Sequence, residues 1–315
     1  MEKLFIYSPQ NERTKNYRDY NLFFDDLTEK LKSKYEVIEY RYSEHAHTDR
    51  TKYKIKNLLN EFIELMECEY LIQKENGDFY ILSVSEQISS AILTEQNNSY
   101  LKKVLYSQYI PDQMVHHCKE NTYKYLPWIF FPQNVNNFDK YYDMRKKINF
   151  ENQLSNLFFK GNTTYRPIVN LIDKNILSSN KILKELNYFE ELINYRISLS
   201  IGGTANGDLC YRDIECMALG VPLLRFDFVT TLNPALIPNY HYVSIPLQLD
   251  LPIVNDVLKD RLGIEKHAKL IEDKFKQVIN NENMLNFISK NAREYYEKYL
   301  SPKNRVDYTL ELLGL

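Results

Sequence analysis

Residues 195–228 constrain the fold more tightly than any other part of the chain. In Arg196-Ile-Ser-Leu-Ser-Ile201 apolar and polar residues alternate, as in a strand whose two faces meet different surroundings. It runs into Gly202-Gly-Thr-Ala-Asn-Gly207, a loop holding three of the chain's eight glycines. Asp208 is suited to cap a helix over residues 209–219, because its carboxylate can accept unpaired N–H groups of the first turn. Gly220 fits the left-handed position just past that helix, and Pro222 stands where a helix cannot continue. Residues 222–228 read as a second strand. The three elements form a βαβ unit, whose crossover is expected to be right-handed.

A loop at the carboxyl end of a parallel strand opens into the crevice where open α/β sheets bind ligands. Glycine lets backbone N–H groups approach a phosphate with no Cβ in the way, and a helix N-terminus favours negative charge. Helical spacing places Cys210, Ile214, Met217, Ala218 and Val221 on a core face, with Asp208, Arg212, Glu215 and Leu219 opposite. Arg212 can offer a permanent, bidentate cation to a diphosphate. Glu215, three residues on, can accept from ribose hydroxyls. A solvated Arg–Glu pair, worth about 0.2–0.5 kcal/mol, is the competing reading of these two residues. Their coincidence with the glycine loop at one strand end favours a ligand site.

A second cluster repeats the pattern. Phe158-Phe-Lys-Gly-Asn-Thr-Thr-Tyr-Arg166 is strand, glycine, polar loop and helix start. Lys160 and Arg166 bracket Asn162 and Thr163, whose amide and hydroxyl suit phosphate or sugar groups. A capped helix with ordinary surface cations fits the same residues. Asn162-Thr-Thr164 also matches a glycosylation sequon, which has no context without a secretory signal.

Elsewhere strands and helices alternate, which indicates an α/β protein. Strands are expected at residues 4–7, 37–42, 103–106, 128–131, 157–160 and 241–245. Residues 70–73 and 79–84 flank Asn76-Gly77, a hairpin signal. Helices are expected from Asp19 or Asn21 to about residue 34, over 52–66 from the spacing of Ile55, Leu58, Leu59, Phe62 and Met66, and over 181–194. Residues 132–151 read as a polar connection between domains spanning 1–148 and 149–315. From residue 253 the chain reads as a helical tail interrupted at Pro302.

Composition limits the function. With 44% hydrophobic and 26% charged residues, the chain is an ordinary globular protein. A net charge of −2 leaves no cation excess for nucleic acid or an anionic membrane. No leader-like or membrane-spanning run is visible, and Cys68, Cys118, Cys210 and Cys216 lack metal-ligand spacing. A cytoplasmic, reduced protein is the expectation.

Taken in order, these motifs resemble glycosyltransferases of the two-domain GT-B architecture, of the family 90 type (capsule-associated and protein O-glucosyltransferases) and the exostosin-like family 47. The resemblance covers roughly residues 155–300. Its anchors are Phe159-Lys-Gly161 with Arg166, Ser200-Ile-Gly-Gly203, and Arg212-Asp-Ile-Glu215 ending in Leu219-Gly-Val-Pro222. Downstream, Leu236-Ile-Pro-Asn-Tyr-His-Tyr-Val-Ser-Ile245 is similar to the His-Tyr-Val strand of family 90, and residues 291–299 resemble a closing helix. The resemblance implies two Rossmann-like domains in series, with a helical C-terminal tail. It implies a nucleotide-sugar donor on the C-terminal domain, a glycan, protein or small-molecule acceptor on the N-terminal domain, and reaction in the cleft between.

On this resemblance Lys160, Asn162, Thr163 and Arg166 would meet the donor from one strand end. Gly202, Gly203, Thr204, Tyr211, Arg212 and Glu215 would meet it from the other. Arg166 and Arg212 would stabilise the departing diphosphate without a metal or other cofactor, and no Asp-x-Asp follows a strand. Asp25-Asp26 reads as a solvated helix face. An inverting transfer needs a base near the acceptor hydroxyl. His45 and His47, in Glu44-His-Ala-His-Thr-Asp49, are its candidates, although alternate histidines also suit a metal or a plain surface. His116-His-Cys118 is a lesser one. A nucleotide-sugar epimerase and a non-catalytic binding protein are competing readings. A dinucleotide oxidoreductase fits less well, because the 202–207 loop lacks G-x-G-x-x-G.

Overall fold

The computed structural model describes residues 1–10, 18–43, 52–56, 58–59, 62–66, 69–83, 98–106, 125–127, 138–161, 163, 166–178, 185–201, 209–228, 232–246 and 261–315. The chain is an α/β protein that divides into two units. The first takes in Met1–Asn134, Thr230–Pro234 and Pro302–Leu315, and the second Val135–Val229 and Ala235–Ser301.

In the first unit, β1 (Lys3–Gln10) pairs in parallel with β2 (Glu36–Ser43), and α1 (Arg18–Lys32) joins them. Next come β3 (Lys52–Lys56), β4 (Phe62–Met66), β5 (Glu69–Lys74), β6 (Phe79–Ser83), β7 (Leu101–Tyr106) and β8 (Tyr125–Pro127). The main sheet has the order β2-β1-β5-β6-β7-β8, with β5 antiparallel to both neighbours. The expected hairpin is β5–β6, and Gly77 takes a φ of 93° in its turn.

The helix expected over residues 52–66 is instead the antiparallel pair β3–β4. Lys52, Lys54 and Lys56 alternate with Tyr53 and Ile55, a period of two that overlaps the helical spacing. Ile63 and Leu65 then bury fully against Leu71, Ile81 and Val104 of the main sheet. The strand expected at residues 128–131 lies outside the described residues.

The second unit begins earlier than the expected division after residue 148. Inside the supposed polar connection stands α2 (Phe138–Lys146), which buries Phe138 and Tyr141 against Phe189. Arg145, its guanidinium held down to about 10 by burial, donates to the Ile193 and Tyr195 carbonyls. The sheet comprises β9 (Leu154–Phe158), β10 (Tyr195–Ser200), β11 (Leu223–Phe226) and β12 (Val243–Ile245), all parallel and in that order. The helical tail is α5 (Arg261–Val278), α6 (Glu282–Tyr295), a π-helical turn (Tyr296–Leu300) and α7 (Arg305–Leu313). The interruption falls at Pro302 as expected. Beyond it, α7 belongs to the first unit, where Asp307 pairs with Lys30 and Arg305 lies over the Phe23 ring.

The winding of the second sheet places the site. After β9 the chain makes a 3-10 turn (Pro167–Leu171) and bridges Leu177 to Leu157 on the β9 edge away from β10. It then returns through α3 (Glu185–Leu192) to pair β10 on the opposite edge. The winding thus reverses between β9 and β10, and the strand ends part into a crevice there. Leu157, Ile197, Leu199 and Leu224 form one core with Ile271 and Phe275 of α5.

Between β10 and β11 runs α4 (Tyr211–Leu219). Its N-cap is Cys210, whose N–H reaches the Asp213 carboxylate at 2.7 Å; the expected cap, Asp208, lies outside the described residues. Ile214, Met217, Ala218 and Val221 are buried as expected. Leu219, expected on the site side, is fully buried too, because α2 and α6 enclose the carboxyl half of α4. Among the described residues no helix is long and apolar enough to cross a membrane.

Gly220 closes α4 at φ 65°, and a Cβ there would meet Ser289 Oγ and the Tyr142 ring, each at 3.1 Å. Gly220→Ala is therefore expected to cost about 1–2 kcal/mol in urea denaturation, through strain and contact together. An unchanged midpoint would refute that.

Candidate functional site

At the reversal of winding the strand ends open on a concavity of ≈ 380 Å³. Lys160 and Arg166 enter it from the chain after β9, and Ile201 from the end of β10. Cys210, Tyr211, Arg212 and Glu215 come from the start of α4, and Tyr188 and Phe189 from α3. Both strands end here, and the next helix starts here, with the Asp213 N–H of its first turn held by Cys210.

Arg212 organises this wall. Its Nη2 donates to the Lys160 carbonyl, its Nη1 to the Leu199 carbonyl at 3.2 Å, and its Nε to Tyr188 Oη at 3.3 Å. Its guanidinium also lies 4.5 Å from the centre of the Phe159 ring. Gly161 fits closely beside it, since a Cβ there would come within 3.3 Å of Nη2. Three of the five N–H groups are thus engaged by the protein, leaving at most two for a ligand. Burial works against the charge, but Tyr188 and the Cys210 and Cys216 thiols hold the Arg212 pKa above its ordinary value. Burial raises Tyr188 well above the usual phenol range, so it remains a neutral acceptor for Arg212.

The other cations are held differently. Lys160 is buried and pairs with Glu191 at 3.1 Å. Arg166 donates Nε to the Ile201 carbonyl at 3.0 Å. Burial, then the neighbouring charge of Arg212, lowers the Arg166 pKa from its ordinary value. A bound anion would relieve that repulsion between two guanidinium groups. Cys210 adds no nucleophile: burial pushes its thiol up to about 11, and it sits 3.3 Å from Ser200 Oγ.

Lys160, Arg166, Tyr211, Arg212 and Glu215, proposed from sequence, therefore line one cavity. Thr163 is described but does not line it. Asn162, Gly202, Gly203, Thr204, His45, His47, His116 and His117 lie outside the described residues. Sequence reasoning missed Tyr188 and Glu191, which hold Arg212 and Lys160 from α3. Their i,i+3 spacing on a helix just before β10 was the available signal.

No family model matches the chain, and no curated protein matches it. Among solved structures, a glycosyltransferase from Rickettsia africae is similar with a TM-score of 0.42 at 15% identity, over 72% of this chain and 67% of that one. TarM gives 0.41 at 13% identity over 76% of this chain, which spans 51% of TarM. Sucrose-phosphate synthase from Thermosynechococcus elongatus gives 0.29 at 12% identity, over 69% and 68% of the two chains. At such scores and identities, the functional reading rests on the residues of this chain.

Arg212→Ala would strip donors from two buried strand-end carbonyls and from Tyr188. It is expected to lower stability by about 2–3 kcal/mol even without ligand. An unchanged urea midpoint in the ligand-free protein would show that Arg212 does not hold the wall.

Proposed function

We propose that the protein is a glycosyltransferase, and that the crevice between β9 and β10 holds the diphosphate of a nucleotide-sugar donor. The observation that carries this reading is the convergence of Lys160, Arg166 and Arg212 where the winding reverses, beside the N-terminus of α4. Two nearby guanidinium groups and the positive end of the α4 dipole favour a ligand with concentrated negative charge. Glu215, one helical turn farther along the wall, suits a hydroxyl of the ribose or donor sugar. Tyr211, 55% exposed at the rim, offers an aromatic surface to the rest of the donor.

Chemically, transfer breaks the bond between the sugar's anomeric carbon and the diphosphate oxygen. The acceptor oxygen bonds to that carbon and gives up its proton, and the diphosphate leaves with the electron pair. Charge grows on the departing oxygen, so fixed cations there stabilise the transition state more than the bound donor. In this reading Arg166 faces that charge, and Arg212 both faces it and holds the wall. No metal is assigned to the step. The acceptor is assigned to the first unit, with His45 and His47 as candidates to take its proton.

A thermal-shift series with UDP, GDP, CMP and their sugars tests the reading, because a ligand that binds only the native state raises its stability. One nucleotide is expected to stabilise the wild type, and Arg166→Gln to weaken its binding about tenfold or more. Indifference to every nucleotide would sink the proposal. Donor incubated alone should be unchanged or slowly hydrolysed; its conversion to an epimer would replace transfer with epimerisation. His45→Ala or His47→Ala should cut turnover about 10²-fold or more if either is the base. Full activity in both would clear them of that role.

A further inference from the structure

Next to Arg212, Asp213 makes a tie of another kind. Its Oδ2 accepts the Cys210 N–H at 2.7 Å and also lies 2.7 Å from Arg225 Nη1 on β11. Both side chains are almost wholly buried, at 1% and 4% exposure. Arg225 is itself fixed, donating Nε to the Phe226 carbonyl at 3.0 Å with its guanidinium 3.3 Å from the Phe228 ring centre. As a device for stability alone such a pair is poor, because taking two charges out of water is costly and apolar partners often hold as well.

Its placement gives it another use. A carboxylate in the first turn is a good cap, but its charge opposes any anion bound at the same helix terminus. We propose that Arg225 is a positioning residue of the anion site. It cancels the charge of Asp213, so that α4 is capped and pinned to β11 while its N-terminus still accepts a diphosphate. The inference rests on the donor-site reading above. Arg212 ties the same turn to the ends of β9 and β10, so three strands set the cavity wall.

Calorimetric titration with UDP, GDP and inorganic pyrophosphate, with uridine and guanosine as uncharged controls, tests it. Arg225→Met should weaken the bound diphosphate at least tenfold while changing the matching nucleoside by less than about threefold. Arg225→Lys should restore diphosphate binding to within about threefold. So should the double variant Asp213→Asn/Arg225→Met, which keeps an oxygen for the Cys210 N–H and removes both charges. Unchanged diphosphate binding in Arg225→Met overturns the proposal, as does equal loss of diphosphate and nucleoside. Should Arg225→Met not fold, the lysine and double variants decide alone: near-wild-type diphosphate binding in both supports the role, and loss in either overturns it. Wild-type protein that binds none of the probes removes the donor-site reading itself, before any substitution is made.

Discussion

Parallel strands that end side by side leave carbonyl groups with no partner in the ladder, and the second unit meets this need with one guanidinium. Arg212 donates to the carbonyls of Lys160 and Leu199 and is held by Tyr188. Everything at the site depends on that arrangement. It fixes how far apart β9 and β10 stand at their ends, where the backbone turns at Gly161, and how the first turn of α4 faces the crevice. A lysine could not do the same, having one nitrogen where Arg212 uses three.

The cations of the wall therefore divide their work. Lys160 answers to Glu191, and Arg212 to backbone and phenol. Arg166 carries the consequence, since it sits in the field of Arg212 and is harder to keep charged. Asp213, a carboxylate of the first turn of α4, is paired with Arg225 on the buried side. The result is a concavity lined by three cations and one carboxylate in a protein whose net charge is slightly negative. Local placement of charge, not its total, makes that excess of cations.

Much of this was legible in residues 195–228. The alternation of Arg196 to Ile201, Gly220 at the helix end and Pro222 after it are local signals, and they marked β10, α4 and β11 closely. Asn76-Gly77 marked the β5–β6 turn in the same way. Residues 52–66 misled because two periodicities overlap there, and only burial of Ile63 and Leu65 against the main sheet selects one. Residues 138–146 looked polar, yet Phe138 and Tyr141 find an aromatic partner in Phe189, far along the chain. Cys210 was read as core, whereas the Asp213 carboxylate makes it the cap.

By itself the sequence determined the element types around the glycine-rich loop and the identity of the cations that flank it. Both follow from backbone chemistry and spacing within a few residues. Only the tertiary structure decided what those cations do. The carbonyls that occupy Arg212 are 13 and 52 residues away, and Arg225 reaches Asp213 because two elements pack, not because a motif demands it. Hydrogen-bond partners set by packing leave no periodic trace in the chain, so the βαβ unit was readable and its wiring was not.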